Sequence, residues 1–104
     1  MEKFAWKAFI KPGKKEEYIR LHDEIWPEMK TMLHDAGIRN YTIWNIEDEL
    51  FGYYECDDLE KAERVQSESD VDRKWDIMME PLMTMIVDPE TGQPLRLTQV
   101  FRFD

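Results

Sequence analysis

Residues 38–56, IRNYTIWNIEDELFGYYEC, decide the fold. Two runs rich in aromatic and β-branched side chains, 38–45 and 50–56, flank the short acidic segment Glu47-Asp48-Glu49. Such runs favour extended backbone, and a brief polar break between them favours a hairpin. The rest of the chain is arranged around this central hairpin.

On its N-terminal side, residues 14–36 carry Leu21, Ile25, Met29, Met32, Leu33 and Ala36 at helical spacing. Glu16 and Glu17 suit the first turn of a helix, and Gly37 suits its stop. Pro27 falls inside this stretch. It cannot donate to the carbonyl of Asp23, and it drives Trp26 out of α geometry. The spacing therefore predicts two helical pieces that meet between Asp23 and Pro27, with Pro27 opening the second. Upstream, residues 3–10 alternate as a strand and Pro12-Gly13 end it. On the C-terminal side, Asp57 with Glu60, and Ser69 with Asp72, read as capping boxes for two short helices, the second running from Val71 through Trp75 towards Met79. Residues 88–94 form a loop by composition, and 95–103 alternate as a closing strand.

The order is β-α-β-β-α-β with the second helix split. It predicts an α+β, ferredoxin-like antiparallel sheet with helices on one face, in a single domain over residues 1–104. Bulky residues occupy both faces of several strands: Phe4 and Trp6 against Phe9, and Tyr54 against Phe51 and Tyr53. A half-exposed sheet normally has one polar face. The expected remedy is a homodimer of the dimeric α/β-barrel type.

With 23 acidic against 14 basic side chains, the net charge is −9. Such a chain repels phosphate backbones and anionic lipid, so neither nucleic acid nor a membrane is an expected partner. No apolar run reaches spanning length, and the N-terminus lacks a signal-peptide layout. The single cysteine, Cys56, excludes an internal disulfide. The expectation is a cytoplasmic protein acting on a small molecule.

Of two histidines, His34 sits near a helix C-terminus and reads as surface. His22 has more telling company. Tyr18, His22 and Trp26 are spaced i, i+4 and i+8, which in an unbroken helix places them on one stripe beside the core. A phenol, an imidazole and an indole together can form a polar-aromatic pocket. The same spacing also fits a helix-edge histidine held by local hydrogen bonds. Composition alone leaves Tyr41 and Trp75 as ordinary strand and core residues, and the methionines as core filler. A metal on His22, Asp23 and Glu24 is disfavoured, because adjacent helical residues diverge. No glycine-rich phosphate loop occurs.

Glu17-Tyr18, His22, Ile25-Trp26-Pro27-Glu28, Asn40-Tyr41, Asp70-Val71 with Trp75, and Val100-Phe101 together resemble the L-rhamnose mutarotase family over nearly the whole chain. The resemblance implies a dimeric ferredoxin-like fold without a cofactor. It implies a proton donor at His22, and sugar-binding residues at Tyr18, Tyr41 and Trp75. The family often has a second tryptophan directly after the one at Trp75; here that position is Asp76. A stacking surface is thus exchanged for a carboxylate, and Asp76 joins Trp26 among the candidate substrate-binding residues.

The residues suit such chemistry. Anomer interconversion opens the sugar ring by moving one proton off the anomeric hydroxyl and one onto the ring oxygen. A histidine titrating near neutrality can do both. Two other classes fit the same fold: cofactor-free monooxygenases or haem-degrading enzymes, and non-catalytic modules that bind a small ligand.

Overall fold

The computed structural model describes residues 1–104. A four-stranded antiparallel sheet in the order β2-β3-β1-β4 is covered on one face by four short helices. The elements are β1 (Glu2–Ile10), α1 (Lys15–Asp23), α2 (Pro27–Asp35), β2 (Ile38–Ile46), β3 (Glu49–Cys56), α3 (Leu59–Glu68), α4 (Asp70–Met79) and β4 (Met83–Met85). This is the ferredoxin-like α+β arrangement expected from the element order.

The hairpin pairs Trp44 with Phe51 and Ile46 with Glu49. The Asn45 side-chain amide closes its turn by donating to the carbonyls of Glu47 and Glu49. The proline break also falls where the sequence places it. α1 ends at Asp23, Trp26 is extended (φ −61°, ψ 139°), and Pro27 is the first residue of α2. Helix α4 is capped as expected, with Ser69 Oγ accepting from the Asp72 amide.

Two expectations are corrected. The cap of α3 is Asp58, which accepts from the Lys61 amide, while Asp57 pairs instead with Arg39 at 2.7 Å. Starting the helix one residue later puts Leu59 and Ala62 into the core. The closing strand over 95–103 is also absent. β4 is Met83–Met85, paired with the Ala8–Ile10 end of β1. Only scattered bonds tie the later segment to the sheet: Leu97 N–H to Ala5 O, Leu95 N–H to Ile86 O, and Arg96 to Lys3 O. Val100, Phe101 and Phe103 lie exposed. Alternation records a capacity to pair but does not specify a partner edge.

The core lies between the sheet and the helices. Phe4, Trp6, Ala8 and Ile10 of β1 enter it, as do Leu50, Tyr54 and Cys56 of β3. The opposite face keeps Trp44, Ile46 and Phe9 exposed, with Phe51 and Tyr53 half-buried beside them. Lys7 lies over the Phe9 and Phe51 rings. No helix is long and apolar enough to cross a membrane.

Candidate functional site

Helix α1 is anchored in the core by one side chain, Tyr18, which is 4% exposed. Helical spacing places Leu21, Ile25 and Met29 at the core and Tyr18 at its margin. The structure buries Tyr18 and Met29 but leaves Leu21 and Ile25 half-buried. The break after Asp23 interrupts the stripe, so Ile25 and Met29 need not share a face with Leu21.

His22 stacks on Tyr18, with ring centres 4.2 Å apart and planes tilted by 35°. Its Nδ1 lies 2.8 Å from the Tyr18 carbonyl oxygen. A carbonyl only accepts, so Nδ1 carries the hydrogen, and in the neutral ring Nε2 keeps its lone pair. Burial pushes the His22 pKa below its usual value; the bond to the Tyr18 carbonyl and the nearby Asp23 charge oppose this only in part.

Trp75, from α4, lies perpendicular to His22, with ring centres 5.1 Å apart and planes at 87°. Trp26 then packs edge-on against Trp75 at 5.3 Å and 89°. Trp26 therefore joins the cluster across the helix break, through Trp75 rather than along one helical stripe. Trp75 is 8% exposed, and its neighbour Asp76 lies at the surface. One turn earlier, half-buried Asp72 has its pKa pushed up to about 7, first by burial and then by the Asp76 charge. Burial also raises that of Asp76.

Tyr41 enters from β2. It packs on Tyr54 with ring centres 5.2 Å apart, and its hydroxyl accepts a hydrogen bond from Trp6 Nε1 at 2.9 Å. Burial keeps the phenol protonated well above its usual range, and negative charge on Tyr18 or Asp72 would add to this. Burial does the same for Tyr18.

The structure thus brings Tyr18, His22, Trp75 and Trp26 into direct ring contact. Tyr41 lies within electrostatic reach of Tyr18, and exposed Asp76 lies within electrostatic reach of Asp72. Sequence reasoning missed Trp6 and Asp72. Trp6 reads as core by alternation, and only the strand register reveals its polar contact. Asp72 could have been found from its i, i+4 spacing to Asp76.

Other candidates fall away. The His34 imidazole is 91% exposed, 3.8 Å from Asp35. Cys56 is buried, and burial pushes its thiol pKa up. No three His, Cys, Asp or Glu side chains converge as a metal site. Surface clefts of about 470 Å³ beside Glu28, Met32 and Val71, and about 320 Å³ beside Pro12 and Asp48, contain none of these aromatic side chains.

A sequence profile for L-rhamnose mutarotase matches residues 3–103. The chain is 36% identical to the L-rhamnose mutarotase of Lachnoclostridium phytofermentans over the full length of both. It is 41% identical to that of Listeria monocytogenes serovar 1/2a over 80% of this chain and 81% of the relative. Among solved structures, an L-rhamnose mutarotase from Formosa agariphila superposes with a TM-score of 0.79 at 28% identity, covering all of both chains. A dimeric ferredoxin-like protein from an uncultured marine organism shares the fold alone, with a TM-score of 0.63 at 17% identity over 98% of this chain and 96% of that one. From a match spanning nearly every residue and from full-length relatives, the chain belongs to the L-rhamnose mutarotase family.

Proposed function

We propose that this protein is an isomerase that interconverts the α and β anomers of a small deoxy sugar, L-rhamnose above all, with His22 moving the protons. The observation that carries this is the state of the imidazole. Its Nδ1 is committed to the Tyr18 carbonyl, and the chain supplies no partner for Nε2. Its lowered pKa keeps it mainly neutral at pH 7.

In this reading Nε2 takes the proton of the anomeric hydroxyl as the ring C1–O bond breaks. The imidazolium so formed gives that proton to the ring oxygen, as the donor role implied by the family resemblance requires. The open aldehyde turns about C1–C2, and the steps reverse on the other face. Trp75 and Trp26 offer apolar surfaces to sugar C–H groups, while Tyr18, Tyr41 and Asp76 supply polar contacts. No step calls for a cofactor.

A second copy of the chain completes the molecule in this reading. Trp44, Ile46, Phe9, Phe51 and Tyr53 make an apolar outer sheet face, and Phe101 and Phe103 add exposed rings. Monomers seldom leave that much apolar surface bare. The buried free thiol of Cys56 fits a cytoplasmic setting.

The test is the anomer exchange rate of L-rhamnose, measured by NMR magnetisation transfer with and without protein. L-fucose and other aldoses serve as comparisons. Acceleration of L-rhamnose exchange is expected. Exchange at the uncatalysed rate for every sugar would refute the assignment.

A further inference from the structure

Tyr41 reaches the helix-covered face of the sheet through two local irregularities. The first is a bulge in β2. Arg39 pairs with Glu55 and Thr42 with Tyr53, so Asn40 and Tyr41 together face the single residue Tyr54. Continued from Ile38 without this extra residue, strict alternation would turn Tyr41 to the other face. Asn40 absorbs the extra residue at φ 52°, a left-handed conformation that asparagine tolerates. Its side-chain amide is tied to Glu55 at 2.7 Å.

The second irregularity is the absence of a side chain at Gly52. Gly52 lies between Trp6 of β1 and Ile43 of β2 in the strand register. A Cβ there would sit 2.0 Å from Trp6 Cε2 and 2.3 Å from Trp6 Nε1. The indole therefore lies across bare backbone of the central strand, which lets its N–H reach Tyr41. Trp6 is 4% exposed, so this indole N–H has no access to bulk water as an alternative partner.

We propose that Trp6 is a positioning residue for Tyr41: its indole N–H, laid over Gly52, occupies one lone pair of the Tyr41 hydroxyl and commits that hydroxyl to donate its proton to an oxygen of the bound sugar. The polarity follows from donor chemistry. An indole N–H only donates, so the phenol oxygen must accept, and its own hydrogen is left to give away. The structure shows no acceptor for that hydrogen within the chain, and the half-buried phenol stays protonated. A sugar with a hydroxyl or ring oxygen at this point is recognised; one with a hydrogen there is not.

This inference rests on the mutarotase reading of the site, and one experiment separates the two. Anomer exchange of L-rhamnose is measured for wild type, Trp6→Phe, Tyr41→Phe and the double variant. Trp6→Phe removes the N–H and should raise KM roughly two- to ten-fold, the range for a single hydrogen bond, with a smaller effect on kcat. In the Tyr41→Phe background Trp6→Phe should add almost nothing to the KM change, because the acceptor is already gone. Gly52→Ala keeps both rings but places a methyl group where the indole lies, and should reproduce the KM rise. The indole N–H signal of Trp6 in the wild-type NMR spectrum, which should shift when L-rhamnose is added and should not do so in Tyr41→Phe, supplies the answer if these variants fold poorly. Independent, multiplying losses from Trp6→Phe and Tyr41→Phe, or an unchanged KM in Gly52→Ala, would overturn the positioning role alone. A wild type without exchange activity would overturn it together with the reading beneath it.

Discussion

Replacing His22 with alanine is the sharpest perturbation of the proposed mechanism. The substitution removes Nε2, the ring nitrogen that is left free when Nδ1 bonds to the Tyr18 carbonyl. General acid–base catalysis by a single placed side chain contributes roughly a hundred- to ten-thousand-fold. His22→Ala should therefore slow catalysed exchange by that range, about 3–5 kcal/mol of activation free energy. The loss should fall on kcat, because the proton moves in the transition state. Stability should suffer less. The imidazole packs on Tyr18 and on Trp75, and such ring contacts are worth about 0.5–1.5 kcal/mol each. The assay is NMR exchange on L-rhamnose, with circular dichroism to confirm folding and His34→Ala as an exposed control. The pH profile supplies a second reading. Burial lowers the His22 pKa, so the free enzyme holds a neutral base at pH 7 and loses it on acidification below about 6.5. The wild-type rate should fall on that acid limb, and His22→Ala should lack the limb. A folded His22→Ala protein with near-full exchange, or with the acid limb intact, would refute the mechanism even if the protein proved to be a mutarotase.

Four further outcomes follow from the geometry. Light scattering at micromolar concentration should give twice the chain mass; a clean monomer would leave the outer-face residues Trp44 and Ile46 without the partner proposed for them. Trp75→Ala should cost about 3–5 kcal/mol in chemical denaturation, because the ring is nearly buried, so Trp75→Phe is the variant in which to seek weaker sugar binding by KM; an unchanged KM would make Trp75 a packing residue only. Asp76→Trp should move the rate ratio across an aldose panel towards L-rhamnose, and unchanged ratios would place Asp76 outside the sugar site. Asp72→Asn should stabilise the fold at pH 8 by more than about 1 kcal/mol and not at pH 4: the folded pKa of Asp72 is raised from 3.8 to about 7, so its contribution is present below 3.8 and lost as pH rises through 7. His22 runs the other way, since its depressed pKa gives stability above 6.5 that is lost as pH falls through the folded value. A melting-temperature difference between wild type and Asp72→Asn that ignores pH would contradict the Asp72 assignment.

Local chemistry wrote much of this protein into its sequence. The hairpin, the strand over 3–10, the break at Pro27 and the Ser69 cap each depend on a few neighbouring residues, and each was legible from them. His22 stood out because Tyr18 lies one helical turn away. Decisions that depend on partners distant in sequence were not legible. Which of Asp57 and Asp58 caps α3 was settled by Arg39, 18 residues before Asp57, and by the burial of Leu59. Residues 95–103 alternate like a strand, yet β1 pairs with Met83–Met85 instead, because alternation carries no information about which edge is free. The site followed the same division. Spacing suggested a Tyr18–His22–Trp26 stripe, but the break at Pro27 ended the helix first, and Trp75, far along the chain, carries Trp26 into the cluster. Tyr41 faces that cluster's side of the sheet only because of the bulge at Asn40, and its hydroxyl meets Trp6 only because Gly52 has no side chain to stand between the strands. The sequence by itself determined which elements form and which imidazole has aromatic company within one helical turn. Only the tertiary structure decided which rings touch that imidazole and which way a phenol hydroxyl points, because strand register and packing across the sheet are set by contacts that no local spacing encodes.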